Sequence, residues 1–141
     1  MSEKADSPKQ NGSIKRKSGK SNNEEGSKIA IKMKRYCLTL DLKDDPKLIS
    51  EYEAYHRDVW PEIKESILTS GITSMEIYRH SNRLFMIMDT SDDFSFETKA
   101  EMDKTNPKVR EWEELMWKFQ QPVKDAKPGQ KWVLMEKIFD L

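Results

Sequence analysis

Between residues 34 and 42 the chain reads KRYCLTLDL, with Tyr36, Leu38, Leu40 and Leu42 at every second position. A strand sends alternate side chains to opposite faces, so this spacing predicts a strand with one apolar face. The period then changes. In DDPKLISEYEAYHRDVWPEIKESILTSG, Leu48, Tyr52, Tyr55 and Val59 recur at helical spacing, and Ile63 and Ile67 extend the stripe. Asp44 and Asp45 are candidate N-caps, Pro46 suits a first turn, and Gly71 supplies a stop. Pro61 lacks a backbone donor, so the helix is expected to bend or restart near Trp60.

Alternation returns in ITSMEIYRH and RLFMIMDT, two strands joined by the short Ser81-Asn82 turn. SDDFSFETKAEMDK opens with acidic caps and reads as a helix. Asn106-Pro107 opens another, with Val109, Trp112, Met116 and Phe119 on one stripe. AKPG is a turn, and KWVLMEKIF reads as the last strand. Strand, helix, strand, strand, helices, strand is the order of the ferredoxin-like βαββαβ plan, an α+β fold with an antiparallel sheet. Its helices cover one sheet face. Leu84, Met86 and Met88 alternate with Phe85 and Ile87, and Val133 and Met135 with Leu134 and Ile138, so both faces are apolar and both should be buried. A second copy packed sheet to sheet, giving a symmetric homodimer of the dimeric α/β-barrel type, is the economical way to cover the open face.

Composition changes the picture mainly at the N-terminus. Residues 1–33 are mostly Ser, Lys, Asn, Gly and Glu, too polar to offset the entropy of ordering, and are expected to form a disordered basic tail before a domain at 34–141. KRK at Lys15–Lys17 is an import patch or an ordinary solvated cluster. The formal net charge of zero divides into an excess of five positive charges over residues 1–34 and five negative ones over the rest. An acidic domain argues against nucleic-acid binding, which rests on a basic surface. No apolar run reaches the ~20 residues of a membrane helix, and MSEKADSPKQ lacks a signal's apolar core. With Cys37 the one cysteine, no internal disulfide can form. The expected location is cytoplasmic.

Candidate chemistry concentrates in EYEAYHRDVWPEI, Glu51 to Ile63. Tyr52 and His56 lie four apart and so project from the same side of a helix. Phenol hydroxyls and a histidine that titrates near neutrality, together with the flat faces of Trp60 and Trp112, suit a pocket for a small polyhydroxylated ligand. From the residues alone a second reading stays open: a histidine among aromatics is also a common hydrogen-bonded core filler. His80, beside the hairpin turn, is expected to be solvated. Cys37 has no sequence-evident base, two histidines and one cysteine give no metal-ligand spacing, and no glycine-rich phosphate loop is present.

The Tyr-x-x-x-His-x-x-x-Trp-Pro run, with SGITSMEIYRHSNRLFMIM and VREWEELM, resembles the L-rhamnose mutarotase family over roughly Lys34 to Leu141. The resemblance implies a small dimeric isomerase that interconverts the α and β anomers of a 6-deoxy-L-sugar without cofactor or metal. It implies His56 as the proton donor, and Tyr52, Trp112 and Glu113 as substrate contacts. Where the rhamnose-type pattern has a second-strand tyrosine and a Trp-Trp pair, this chain has Met75 and Trp112-Glu113. Tyr78 is close to Met75 but belongs to the opposite strand face. SGITSMEIYR and RLFMIMDT look more like the L-fucose branch, so L-fucose and L-rhamnose are both candidate substrates. The rival readings are a cofactor-independent oxygenase of the dimeric α/β-barrel type, which oxygen uptake would reveal, and a non-catalytic sugar-binding dimer. The latter would show sugar-induced stabilisation without faster anomer exchange.

Overall fold

A computed structural model describes residues 33–141. The expectations for the basic tail lie outside the described residues. Strand β1 (Met33–Leu42) starts the domain. It is followed by helices α1 (Pro46–His56) and α2 (Pro61–Thr69), and by the hairpin β2 (Ile72–His80) and β3 (Arg83–Ser91). Helices α3 (Phe96–Lys104) and α4 (Pro107–Trp117) come next, then the short strands β4 (Gln120–Gln121) and β5 (Val133–Leu134). Every pairing is antiparallel, in the order β2-β3-β1-β4, with β5 on the same β1 edge as β4. This is the α+β architecture that the element order predicts.

Local chemistry explains the boundaries. The Asp45 carboxylate accepts from the Lys47 and Leu48 amides, and the Asn106 side chain accepts from those of Lys108 and Val109, satisfying donors that a helix start leaves orphaned. The helix restarts near Trp60, as Pro61 predicts: α1 ends at His56, Trp60 takes an extended conformation, and α2 begins at Pro61. Gly71, φ +103°, turns the chain after α2 where a Cβ would come within 2.9 Å of Ser91 Oγ. Ser81 takes φ 55° in the hairpin turn, and Asn82 Nδ2 donates to the Leu42 carbonyl, tying the turn to the end of β1.

Two expectations need correction. The cap of α3 is Ser95, which accepts from the Thr98 amide, while the Asp93 carboxylate accepts from the Ser91 hydroxyl instead. The last strand is much shorter than KWVLMEKIF suggests. Val133 and Leu134 pair with Thr39 and Leu38, the Met135 amide donates to the Cys37 carbonyl, and pairing then stops. Ile138 and Phe139 are 92% and 75% exposed. Among the described residues nothing covers those side chains, so continued pairing would bring no burial with it.

The helices pack on one face of the sheet. Leu42 and Leu84 meet Tyr52, Ile63, Val109, Trp112, Met116 and Phe119, while Leu38, Met86 and Met88 meet Ile72 and Phe94. On the other face Cys37, Phe85 and Ile87 are only half-buried in the single chain. The Arg35–Asp89 and Arg83–Asp41 ion pairs lie at the two ends of that strip. No helix among the described residues is long and apolar enough to cross a membrane.

Candidate functional site

Between the helix layer and the sheet lies a cavity of about 350 Å³, at the small end of the roughly 300–1,000 Å³ usual for ligand pockets. Its sheet side is apolar, with Met75 and Ile77 of β2 and Met86 and Met88 of β3. Its helix side carries Tyr52, His56, Asp103, Trp112 and Glu113, and Gln120 and Lys131 add polar groups. A shallower groove of about 440 Å³ shares His56, Val59 and Met75 with it and opens along β2.

The break in the first helix positions His56. As the last residue of α1, it keeps the i, i+4 relation to Tyr52, and the two rings lie 4.3 Å apart. Arg79 of β2 pairs with Glu53 and holds that helix against the sheet. The His56 Nδ1 lies 2.9 Å from the Tyr52 carbonyl oxygen. A carbonyl only accepts, so Nδ1 carries the proton and, in the neutral ring, Nε2 keeps a lone pair. Nε2 has no hydrogen-bond partner among the described residues. Burial lowers the His56 pKa, against a smaller opposing effect of the bond to Tyr52. The imidazole is thus biased toward its neutral, proton-accepting form.

The Trp112 ring stands edge-on to His56 at 5.7 Å and to Trp60 at 5.1 Å, so one indole braces the imidazole and is itself braced by a second. Burial pushes the Tyr52 phenol up to about 12, opposed by the Gln120 amide, whose Nε2 donates to the phenol oxygen at 3.4 Å. Tyr52 therefore remains a protonated donor at any physiological pH.

Four residues singled out from the sequence, His56, Tyr52, Trp112 and Glu113, line this one cavity together with Met75; Trp60, also singled out, does not. Tyr55 does not: it is 36% exposed and packs its ring on Trp112 and Phe119. Tyr78 is on the open face, donating to Glu76. Sequence reasoning missed Lys99, Asp103, Gln120, Lys131 and Trp132. The Lys131 ammonium donates to the Glu113 backbone carbonyl at 2.9 Å; burial lowers its pKa, and the Glu113 carboxylate opposes this. No group of three or more His, Cys, Asp and Glu side chains among the described residues is arranged to hold a metal ion.

An antiparallel α+β domain with an aromatic-walled cavity defines the class, and solved structures share the fold. An L-rhamnose mutarotase from Formosa agariphila superposes with a TM-score of 0.57 at 22% identity, covering 77% of this chain and 98% of its own. Tetracenomycin F2 cyclase from Streptomyces glaucescens gives 0.52 at 15% identity, covering 77% and 96%. Sequence narrows the class. The family model described as L-rhamnose mutarotase matches residues 35–141. An L-fucose mutarotase from Xanthomonas campestris pv. campestris is 42% identical over 113 residues, 79% of this chain and 90% of the relative. An L-rhamnose mutarotase from Phocaeicola vulgatus is 30% identical over 98 residues, 68% and 85% respectively. The chain belongs to the L-rhamnose mutarotase family of carbohydrate isomerases.

Proposed function

We propose that this chain interconverts the α and β anomers of a 6-deoxy-L-hexose, with His56 as the residue that moves the proton. The observation that carries this reading is a neutral-biased imidazole on the wall of a small aromatic cavity, its Nδ1–H spent on the Tyr52 carbonyl. L-Fucose is the first candidate substrate and L-rhamnose the second, given the 42% and 30% identities to relatives named for them. The Met and Ile wall suits the sugar's C–H face and 6-methyl group, and the opposite polar wall suits its hydroxyls.

A neutral His56 acts first as base, the reverse of the donor-first order implied by the resemblance. Nε2 takes the anomeric hydroxyl proton. The C1–O1 bond becomes a carbonyl as the C1–O5 bond breaks, and the imidazolium returns the proton to O5. Rotation about C1–C2 and the reverse steps close the ring on the other carbonyl face. No proton is gained or lost overall, and no cofactor is required by the chemistry. The Tyr52 hydroxyl is a donor to the sugar, Trp112 stacks on it, and Glu113 contacts it from the rim. Saturation-transfer NMR of both sugars tests the reading. Exchange with protein present is expected to exceed that in buffer for at least one of them, and identical rates for both would remove it.

The pH dependence follows from the sign of the His56 shift. Activity needs the unprotonated ring, so turnover is expected to be flat through neutrality and to fall on the acid side of the usual imidazole value of about 6.5. Tyr52, pushed up to about 12, is expected to give no alkaline limb at physiological pH. A rate that rises as the pH drops from 7 to 5 would make His56 an acid in the free enzyme instead.

The functional unit is proposed to be a homodimer. Cys37, Phe85 and Ile87 form a half-buried apolar strip between the two ion pairs on the open sheet face, and Ile138 and Phe139 are apolar and uncovered. A second copy packed sheet to sheet covers both features. Light scattering at micromolar concentration is expected to give twice the chain mass; a value near 16.6 kDa would contradict this.

A further inference from the structure

Two buried side-chain oxygens among the described residues have no hydrogen-bond partner, Gln120 Oε1 and Asp103 Oδ1. Both residues line the cavity that holds His56. They reach it from separate places: Asp103 near the end of α3, Gln120 just beyond α4. Each has already committed its other end. Gln120 is 5% exposed, and its Nε2 donates to the Tyr52 hydroxyl at 3.4 Å. Asp103 Oδ2 accepts from the Lys99 ammonium at 2.6 Å. Each residue of the shared lining thus keeps one buried acceptor without a partner.

A buried acceptor without a donor destabilises a fold, because it gave up water for nothing in return. Two such groups on one cavity wall make sense if the cavity's occupant brings the donors. We propose that Gln120 and Asp103 are specificity-determining residues, each accepting a hydrogen bond from a different hydroxyl of the bound sugar. This rests on the mutarotase reading and deepens it. The occupant must offer at least two hydroxyl donors in addition to the anomeric centre engaged by His56. Tyr52 links the two ends of the site: its phenol oxygen receives the Gln120 amide and its ring lies beside the His56 ring. A sugar gripped by Gln120 is therefore gripped close to the imidazole. Lys99 acts through Asp103, holding Oδ2 at 2.6 Å and leaving Oδ1 as the uncommitted acceptor. It is a positioning residue. A site built to bond a hydroxyl rejects analogues that lack it, since the acceptor is then left buried and unpaired.

The test is a cycle between protein and ligand deletions. Binding of the parent sugar and its 2-, 3- and 4-deoxy analogues is measured by titration calorimetry on wild type, Gln120→Met and Asp103→Leu, with exchange rates measured alongside. Each variant is expected to weaken parent binding about tenfold or more, while kcat changes much less than KM. One deoxy analogue that binds poorly to wild type should lose nothing further on Gln120→Met, and a different one should behave so on Asp103→Leu. Parent binding within twofold of wild type for both variants overturns the inference. So does an equal loss for every analogue on every protein, or no sugar binding at all. Should a variant fail to fold, wild type still decides: at least two deoxy analogues must bind more weakly than the parent. Binding that follows this pattern without any acceleration of exchange would remove the isomerase reading and keep the two acceptors.

Discussion

Anomer exchange in a His56→Gln variant is expected to fall to the rate in buffer, a loss of ~10²–10⁴-fold, the usual contribution of one positioned acid–base group. The reason is specific to this site. Among the groups lining the cavity, the Tyr52 phenol is held as a donor by its pKa of about 12, the Lys131 ammonium is engaged by the Glu113 carbonyl, and the Asp103 carboxylate is paired with Lys99. None of these matches an imidazole with a free lone pair at neutral pH. Glutamine preserves one donor toward the Tyr52 carbonyl and much of the bulk beside Trp112, so the variant should fold. Circular dichroism and thermal unfolding check this. A folded variant that kept more than about a tenth of wild-type turnover would place the proton transfer elsewhere, with Glu113 on the rim as the next group to substitute.

The second large effect is structural. Trp112→Ala is expected to lower stability by about 3–5 kcal/mol, the range for removing a buried aromatic side chain with partial collapse of the hole. That is a large share of the 5–15 kcal/mol typical of a whole domain. Trp112 is 9% exposed and touches the Tyr55, His56 and Trp60 rings. Its loss removes a core side chain and the brace of the imidazole together. Trp112→Phe should recover much of the stability while leaving KM raised, because a phenyl ring is smaller than the indole it replaces. Urea unfolding measures the first effect, and exchange kinetics measure the second. A Trp112→Ala domain within about 1 kcal/mol of wild type would contradict the placement of this indole in the core.

How much of this was legible in the sequence depended on which contacts were local. The Tyr52–His56 relation follows from helical spacing alone, and Asp45, Asn106 and Pro61 mark helix starts by their own chemistry. Trp112 stands out in the sequence as a flat aromatic face, Glu113 enters through the family resemblance alone, and the fold brings both to the same cavity. Gln120 and Asp103 had no such signal. Each belongs to a polar stretch, and only the packing of α3 and α4 over the sheet turns one side chain in each stretch toward a shared hollow. Lys131 and Trp132 enter the sequence reading only as the first two residues of the last strand. The misreading of residues 131–139 has a related cause. A period-2 apolar pattern shows that a segment can be half-buried in a sheet; it does not say which surface covers it. Among the described residues that segment finds an edge only at Leu38 and Thr39, and a carbonyl at Cys37.

The central claim concerns the protonation and contacts of a single ring, and only His56 and His80 contribute histidine signals. Long-range proton–nitrogen NMR of the two imidazoles, recorded against pH and then against added L-fucose or L-rhamnose, tests it most directly. His56 is expected to be neutral at pH 7 with its proton on Nδ1 and to titrate below the usual value of about 6.5. Its Nε2 resonance is expected to move when sugar is added while His80 stays unchanged. A His56 that titrates at or above the usual value, or an Nε2 that ignores a sugar whose exchange the protein accelerates, would contradict it.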